Sequence, residues 1–460
     1  MTLRINNGAR LADLTTLGVG GLAAEYLATD TERDFIDAIT AADDAGRPLL
    51  VIGGGSNLLV ADAGFDGLVI RDGRCGWNLD SADACSGASV TVVAGQGWDG
   101  FVEAAIAERW VGLEALAGIP GTVGAAPVQN IGAYGAEVAD VLSKVRTWDR
   151  AERRVRTFAV GELKLGYRTS LLKESMRAAQ PVAASPIRRF GASSTFSEPP
   201  KASNGPQIVE QGERQPAGGW HPTPRYVVLD ATFQMRRGDD SAPVRYAELA
   251  RRLGVEVGRR APLAEVREAV LELRASKGML ANTGPRPTDA GGAPSAGAAS
   301  SASTSAPDVA SVTDVIAAGR VAEAIGTWDL DRSSAGSFFT NPILPVADAD
   351  ALLPADAPRY PVRAPIDAGT HGIFRLEVDE SVVKTSAAWL IDQAGFHKGF
   401  GIDGPGSRAA LSTKHTLALT NRGGASAEDV LALARAIRDG VRERFSITLE
   451  PEPVLVGVSL

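Results

Sequence analysis

Three short stretches hold side chains able to act on an anionic substrate. GYRTS, residues 166–170, sets Arg168 beside an aromatic ring; a guanidinium there can clamp a carboxylate through two parallel hydrogen bonds. SAGSFFTNP, residues 334–342, places Ser337 between a glycine and two phenylalanines, neighbours that can fix a hydroxyl in a pocket. LEPEP, residues 449–453, presents Glu450 and Glu452 where a strand is expected to end. Taken singly, each has a structural alternative: a surface salt bridge, a buried turn and an exposed acidic end. No GxSxG elbow and no HExxH pattern occurs, so neither a hydrolase serine nor a histidine-built metal centre is indicated. Cys75 and Cys85 are too few and wrongly spaced for zinc, and suit a reducing compartment.

A second kind of chemistry would come from the main chain. GGGSN, residues 53–57, follows an apolar run; successive unhindered amides after a strand form an anion nest, to which Ser56 and Asn57 can add donors. It is neither GxGxxG nor a Walker motif, and a plain turn would look the same. GQG follows at 95–97, and residues 118–135 read GIPGTVGAAPVQNIGAYG, with no charge between Glu114 and Glu137. Five glycines permit positive φ and close approach, while Pro120 and Pro127 break any helix. Irregular uncharged backbone needs hydrogen-bond partners, either a bound ligand or neighbouring side chains. Three such backbones in one region point jointly to a large ligand containing a diphosphate.

The elements that must hold these groups alternate between strand and helix. A strand at residues 25–29 leads to a helix opened by Thr31 with Asp34 in a capping-box pattern, with Gly46 placed to end it. Residues 49–52 form a buried strand running into the glycine loop, and a similar unit repeats with a strand at 89–94 and a helix carrying Trp98, Phe101, Val102, Ala105 and Ile106. Residues 225–235 resume strand character. A last globular region from about Trp328 has helices at 385–394 and after Ser426, then a final strand at 446–450. Two biased stretches, 174–224 and about 281–309, lack core material and read as flexible insertions. With 460 residues, 44% hydrophobic and 22% charged, two or three ordinary domains are expected. The net charge of -8 argues against nucleic acid. With neither a signal peptide nor a membrane-spanning run evident, the expected location is the cytoplasm.

In order along residues 14–452, TTLGVGG, GGGSNLL, GQGW, GIPGTVGAAPVQNIGAYG, GYRTS, AGSFFTNP, AAWLIDQAGF and LEPE resemble the bacterial UDP-N-acetylenolpyruvoylglucosamine reductases of peptidoglycan synthesis. The resemblance implies an α+β chain of three domains. Two form an FAD-binding unit of the vanillyl-alcohol-oxidase (PCMH-type) fold: residues 1–71, and residues 72–278, interrupted near 174–224 and completed by a C-terminal strand at 447–460. Residues 279–327 are then a low-complexity insertion, and 328–446 a substrate-binding α+β domain.

It implies FAD contacts at Gly53, Gly54, Gly55, Ser56, Asn57, Ile119, Gly124, Gly132 and Ala133, and catalytic roles for Arg168, Ser337 as proton donor, and Glu452. The implied substrate set is Tyr134, Tyr246, Lys277, Asn341 and His415, with Tyr246 looking like the tyrosine of the type I branch. NADPH would reduce the flavin, hydride would pass to the enolpyruvyl methylene of UDP-N-acetylglucosamine enolpyruvate, and Ser337 would protonate the adjacent carbon. A monomer without bound metal is expected. Three departures stand out: Ala125 and Ala126 where relatives often carry a serine, Pro453 after Glu452 in place of valine, and two unusually long insertions. Glu450 thus stays a rival for the active carboxylate. Two other readings remain: an FAD oxidase or dehydrogenase of sugars or hydroxy acids, and a non-catalytic nucleotide-binding module.

Overall fold

The computed structural model describes residues 5–6, 8–83, 86–176, 220–282, 328–365 and 376–460. Most of both biased stretches, and Cys85, lie outside them. The first unit is a sheet of the parallel strands Ala23–Thr29, Phe65–Asp72 and Leu49–Val51, edged by Ile5–Asn6. Helix Glu32–Asp44 covers it with Phe35, Ile39 and Ala42, which are buried because they recur at helical spacing. Thr31 Oγ1 accepts from Asp34 N at 3.1 Å, and Gly46 follows at φ 62°. Glu32 ties this unit to the next, with Arg146 at 2.6 Å and Arg74 at 2.8 Å.

The second unit is an antiparallel sheet in the order Arg154–Ala159, Leu142–Asp149, Tyr226–Arg237, Gly87–Val93, Trp77–Asp83. Its central strand, Tyr226–Arg237, is almost wholly buried, which suits its run of β-branched and aromatic residues. Helices Trp98–Ala107 and Leu263–Ser276 pack into the same core.

The third unit holds the sheet Ile343–Pro345, Leu376–Thr385, Arg359–Pro365 and helix Ala427–Phe445, which packs on the strand pair Ala409–Leu411 and Leu419–Asn421. That helix buries Val430, Leu433, Ile437 and Val441, and burial of each such side chain contributes roughly 1.5–3 kcal/mol. Leu17, Val19 and Leu59 from the first unit enter its core, so the two are packed as one body there.

One expected element moves. Residues 446–450 form no strand: Ser446 takes the left-handed conformation that ends the helix, φ 57°, and Ile447 and Leu449 plug the third core. The strand is Val454–Val456, and it pairs in parallel with Leu58–Val60, in the first unit and not the second.

Candidate functional site

A cavity of about 290 Å³ opens where the three units meet. Its floor is two loops knitted together by close approach. A β-carbon on Gly53 would lie 2.5 Å from Thr122 Oγ1, and one on Gly54 2.8 Å from Gly121 Cα. Ser56 Oγ donates to Pro120 O at 2.8 Å, and Asn57 Nδ2 to Gln129 Oε1 at 2.7 Å. Gly55 is at φ 62°, where a β-carbon would lie 1.9 Å from Leu14 O, so only glycine fits. The amides of Gly53, Gly54, Gly55 and Ser56 meet no backbone carbonyl among the described residues.

Residues 118–135 satisfy themselves more fully than an irregular segment suggests. Short 3-10 turns and the loop after strand Gly87–Val93 take many of their amides: Val123 N donates to Gln96 O and Gly124 N to Ala94 O, both at 2.9 Å. Gly124 therefore gives the cavity space rather than a donor, since a β-carbon there would lie 2.6 Å from Ala94 Cβ.

The wall is made of side chains. Arg168, at φ 55°, donates from one terminal nitrogen to Gly132 O at 2.9 Å and from the other to Asn130 O at 3.5 Å. Its Nε lies 2.9 Å from Glu452 Oε1 but outside hydrogen-bond geometry, so that contact is ionic. Burial opposes its charge, and Glu452, Tyr167 and Glu137 outweigh that, holding its pKa above the usual arginine range. Residues 450–452 run antiparallel to 338–340, with Glu452 N donating to Phe338 O and Thr340 N to Glu450 O. Along this segment Glu452, 8% exposed, lies against the cavity, while Glu450 is exposed. Ser337 lines the same cavity, held between Gly336 at φ 74° and a Phe338–Phe339 pair, ring centroids 5.1 Å apart, locked in the third core.

Of the residues implied by resemblance, Gly53, Ser56, Asn57, Ile119, Gly124, Gly132, Arg168, Ser337 and Glu452 line this cavity. Gly54, Gly55 and Ala133 do not: the first two serve the packing of loop on loop, and Ala133 lies in a short antiparallel pair with Ala136.

Tyr134, Tyr246, Lys277 and His415 gather in a second cluster. The tyrosine rings are 5.6 Å apart, and Lys277 Nζ sits 5.8 Å from the Tyr134 ring and 2.5 Å from Glu248. Burial pushes the Tyr134 hydroxyl up to about 12. Burial, with Lys277 and Lys398, pushes His415 down to about 4, so its imidazole is neutral at pH 7. Asn341 stands apart, its Oδ1 capping helix Ala387–Gln393 through Ala387 N at 2.9 Å.

Sequence reasoning passes over Arg274. It lines the cavity, is 6% exposed, and its Nε has no partner. The signal was present: Arg274 continues Val266 and Val270 on the buried face of its helix, an arginine where an apolar residue belongs.

Residues 329–456 match the C-terminal domain of UDP-N-acetylenolpyruvoylglucosamine reductase, and residues 23–157 match an FAD-binding domain. A UDP-N-acetylenolpyruvoylglucosamine reductase of Cutibacterium acnes is 41% identical over 98% of this chain and 90% of its own. One from Thermobifida fusca is 38% identical over the whole of both. The crystal structure of the Thermus caldophilus reductase superposes with a TM-score of 0.51 at 22% identity, covering 99% of this chain and all of that one.

Proposed function

From the premise that the chain belongs to the UDP-N-acetylenolpyruvoylglucosamine reductase family, we propose how its own residues divide the work. It is an FAD-containing, NADPH-dependent oxidoreductase that reduces UDP-N-acetylglucosamine enolpyruvate to UDP-N-acetylmuramate in peptidoglycan synthesis. The residues present fit the cofactor: the unpaired amides of Gly53 and Ser56 and the orphaned Nε of Arg274, all lining the cavity, are donors suited to phosphate oxygens. Bound FAD supplies the two-electron chemistry between NADPH and the enolpyruvyl methylene.

The observation that carries the site reading is the 2.9 Å approach of Arg168 to Glu452 on a wall shared with Ser337. Arg168, aimed by the carbonyls of Asn130 and Gly132, holds the substrate carboxylate and stabilises the enolate charge built there. Glu452, in ionic contact with that guanidinium, holds it on the wall where the substrate carboxylate is received. Ser337 gives its proton to the adjacent carbon, which as an enolate carbon is basic enough to take it. Lys277, Tyr134 and Tyr246 hold the diphosphate side, with His415 neutral beside them, while Asn341 keeps the third unit in register with the Tyr167 turn.

We read residues 1–71 and 72–278 as the cofactor-binding unit and 328–446 as the substrate domain, extended by 15–19 and 447–449, which pack in its core. We propose a monomer. The nucleotide-sugar substrate supports a cytoplasmic location. No helix among the described residues is long and apolar enough to cross a membrane.

Purified protein should be yellow, bleach with NADPH and recover its flavin spectrum on adding the enolpyruvyl sugar nucleotide. Bleaching by sugar alcohols would move the assignment to an oxidase, and a colourless protein that cannot be reconstituted with FAD would overturn it.

A further inference from the structure

The turn that carries Arg168 meets the third unit through Tyr167. Its ring has two cations within reach, Lys384 Nζ at 4.4 Å from the centroid and the Arg168 guanidinium at 5.5 Å. Its hydroxyl accepts from Asn341 N at 3.3 Å. Neither partner from the third unit is loosely held. Lys384 lies in the central strand Leu376–Thr385, paired with Ile343 on one side and Tyr360 on the other. Asn341 is fixed by capping helix Ala387–Gln393.

Arg168, the next residue in the chain, has a left-handed backbone that a side-chain-bearing residue keeps only under constraint. The Tyr167 ring lies 5.5 Å from the guanidinium, so displacing the ring removes packing that holds the guanidinium against the carbonyls of Asn130 and Gly132. A misplacement of about 1 Å in such a group is enough to cost on the order of a hundredfold in rate.

We propose that Tyr167, with Lys384 seated against its ring, is a positioning residue that couples the docking of the third unit to the aim of the Arg168 guanidinium. The proposal rests on the reading of Arg168 as the carboxylate clamp. An ammonium on a partly desolvated ring is worth about two- to thirtyfold in an equilibrium constant, enough to bias the turn without locking it. The groups facing Lys384 are Tyr167, Arg168 and Glu137; burial and Arg168 lower its pKa and Glu137 opposes them. The contact therefore exists while the lysine is protonated and is lost as pH rises through that lowered value, earlier than for an ordinary lysine.

The test uses the full FAD-containing chain and follows flavin content, flavin reduction by NADPH and flavin reoxidation by the enolpyruvyl substrate. Lys384→Met and Tyr167→Leu should each slow reoxidation about three- to thirtyfold while leaving flavin content and NADPH reduction unchanged. The double variant should be no slower than the worse single one. Lys384→Arg should restore the rate and shift the alkaline limb of reoxidation upward. Additive losses in the double variant, or equal loss in both half-reactions for Lys384→Met, would overturn the coupling. If Tyr167→Leu does not fold, Tyr167→Phe keeps the ring, and its reoxidation must remain sensitive to Lys384→Met. Arg168→Lys is measured alongside. If it slows reoxidation while Lys384→Met does not, the coupling is wrong and the clamp stands; if Arg168→Lys is silent, the clamp reading itself falls.

Discussion

The floor and the wall of the cavity are built from different materials. The floor is main chain, contributed by two loops that interdigitate through glycines, with Gly53 against Thr122 and Gly54 against Gly121. The wall is side chain, assembled from Arg168, Ser337 and Glu452 on three separate segments. A floor of this kind fails by steric overlap, while the wall fails by loss of a charge or a proton. Substitutions should therefore separate the two by which half-reaction they damage.

The largest effect should come from the wall. Ser337→Ala is expected to slow reoxidation by substrate by about 10²–10⁴ while NADPH still reduces the flavin at its former rate. Stopped-flow absorbance reads both steps, and equal damage to each would erase the distinction drawn between floor and wall.

Gly124→Val tests the floor. Its first side-chain atom would meet Ala94 Cβ at 2.6 Å, and overpacking of this sort costs about 1–3 kcal/mol. Flavin content and melting temperature should fall together, whereas full flavin content at an unchanged melting temperature would mean that the floor yields easily. The smallest effect sharpens the wall. Glu452→Gln should impair reoxidation because it breaks the ionic contact with Arg168, while Glu450→Gln, on an exposed side chain, should leave turnover and stability within error. A reversed outcome would show that the 338–340 ladder presents the wrong carboxylate.

Local signals were legible where local physics decides. Thr31 and Ser426 each accept from the amide three residues on, and Gly46 and Gly395 follow their helices at positive φ. The glycine-proline stretch was readable as irregular, but not as largely satisfied by the protein, because the carbonyls of Ala94 and Gln96 that take two of its amides belong to another loop. The strand expected at 446–450 failed for a related reason. SITLE has strand composition, yet a strand needs a neighbour, and the free edge at Leu58–Val60 is reached only by Val454–Val456. In the site, residue types marked Arg168 and Ser337. The choice between Glu450 and Glu452 depended on how far along the segment the cavity reaches, since positions two apart point to the same side of an extended chain and identical chemistry could not separate them. Lys384 carried no motif, and GYRTS marked Tyr167 only as a ring beside Arg168, since their role lies in a contact between units.

The contact between Asn57 Nδ2 and Glu452 O, at 3.3 Å, joins residues 395 positions apart. Closing a loop of that size has to precede any reward from the contacts it makes, so such pairings form late when a chain folds. The glycine floor, built over a much shorter span, has no such wait. During refolding, the ability to hold flavin should therefore return before the ability to turn over substrate, and the interval between them measures how long the carboxylate takes to arrive.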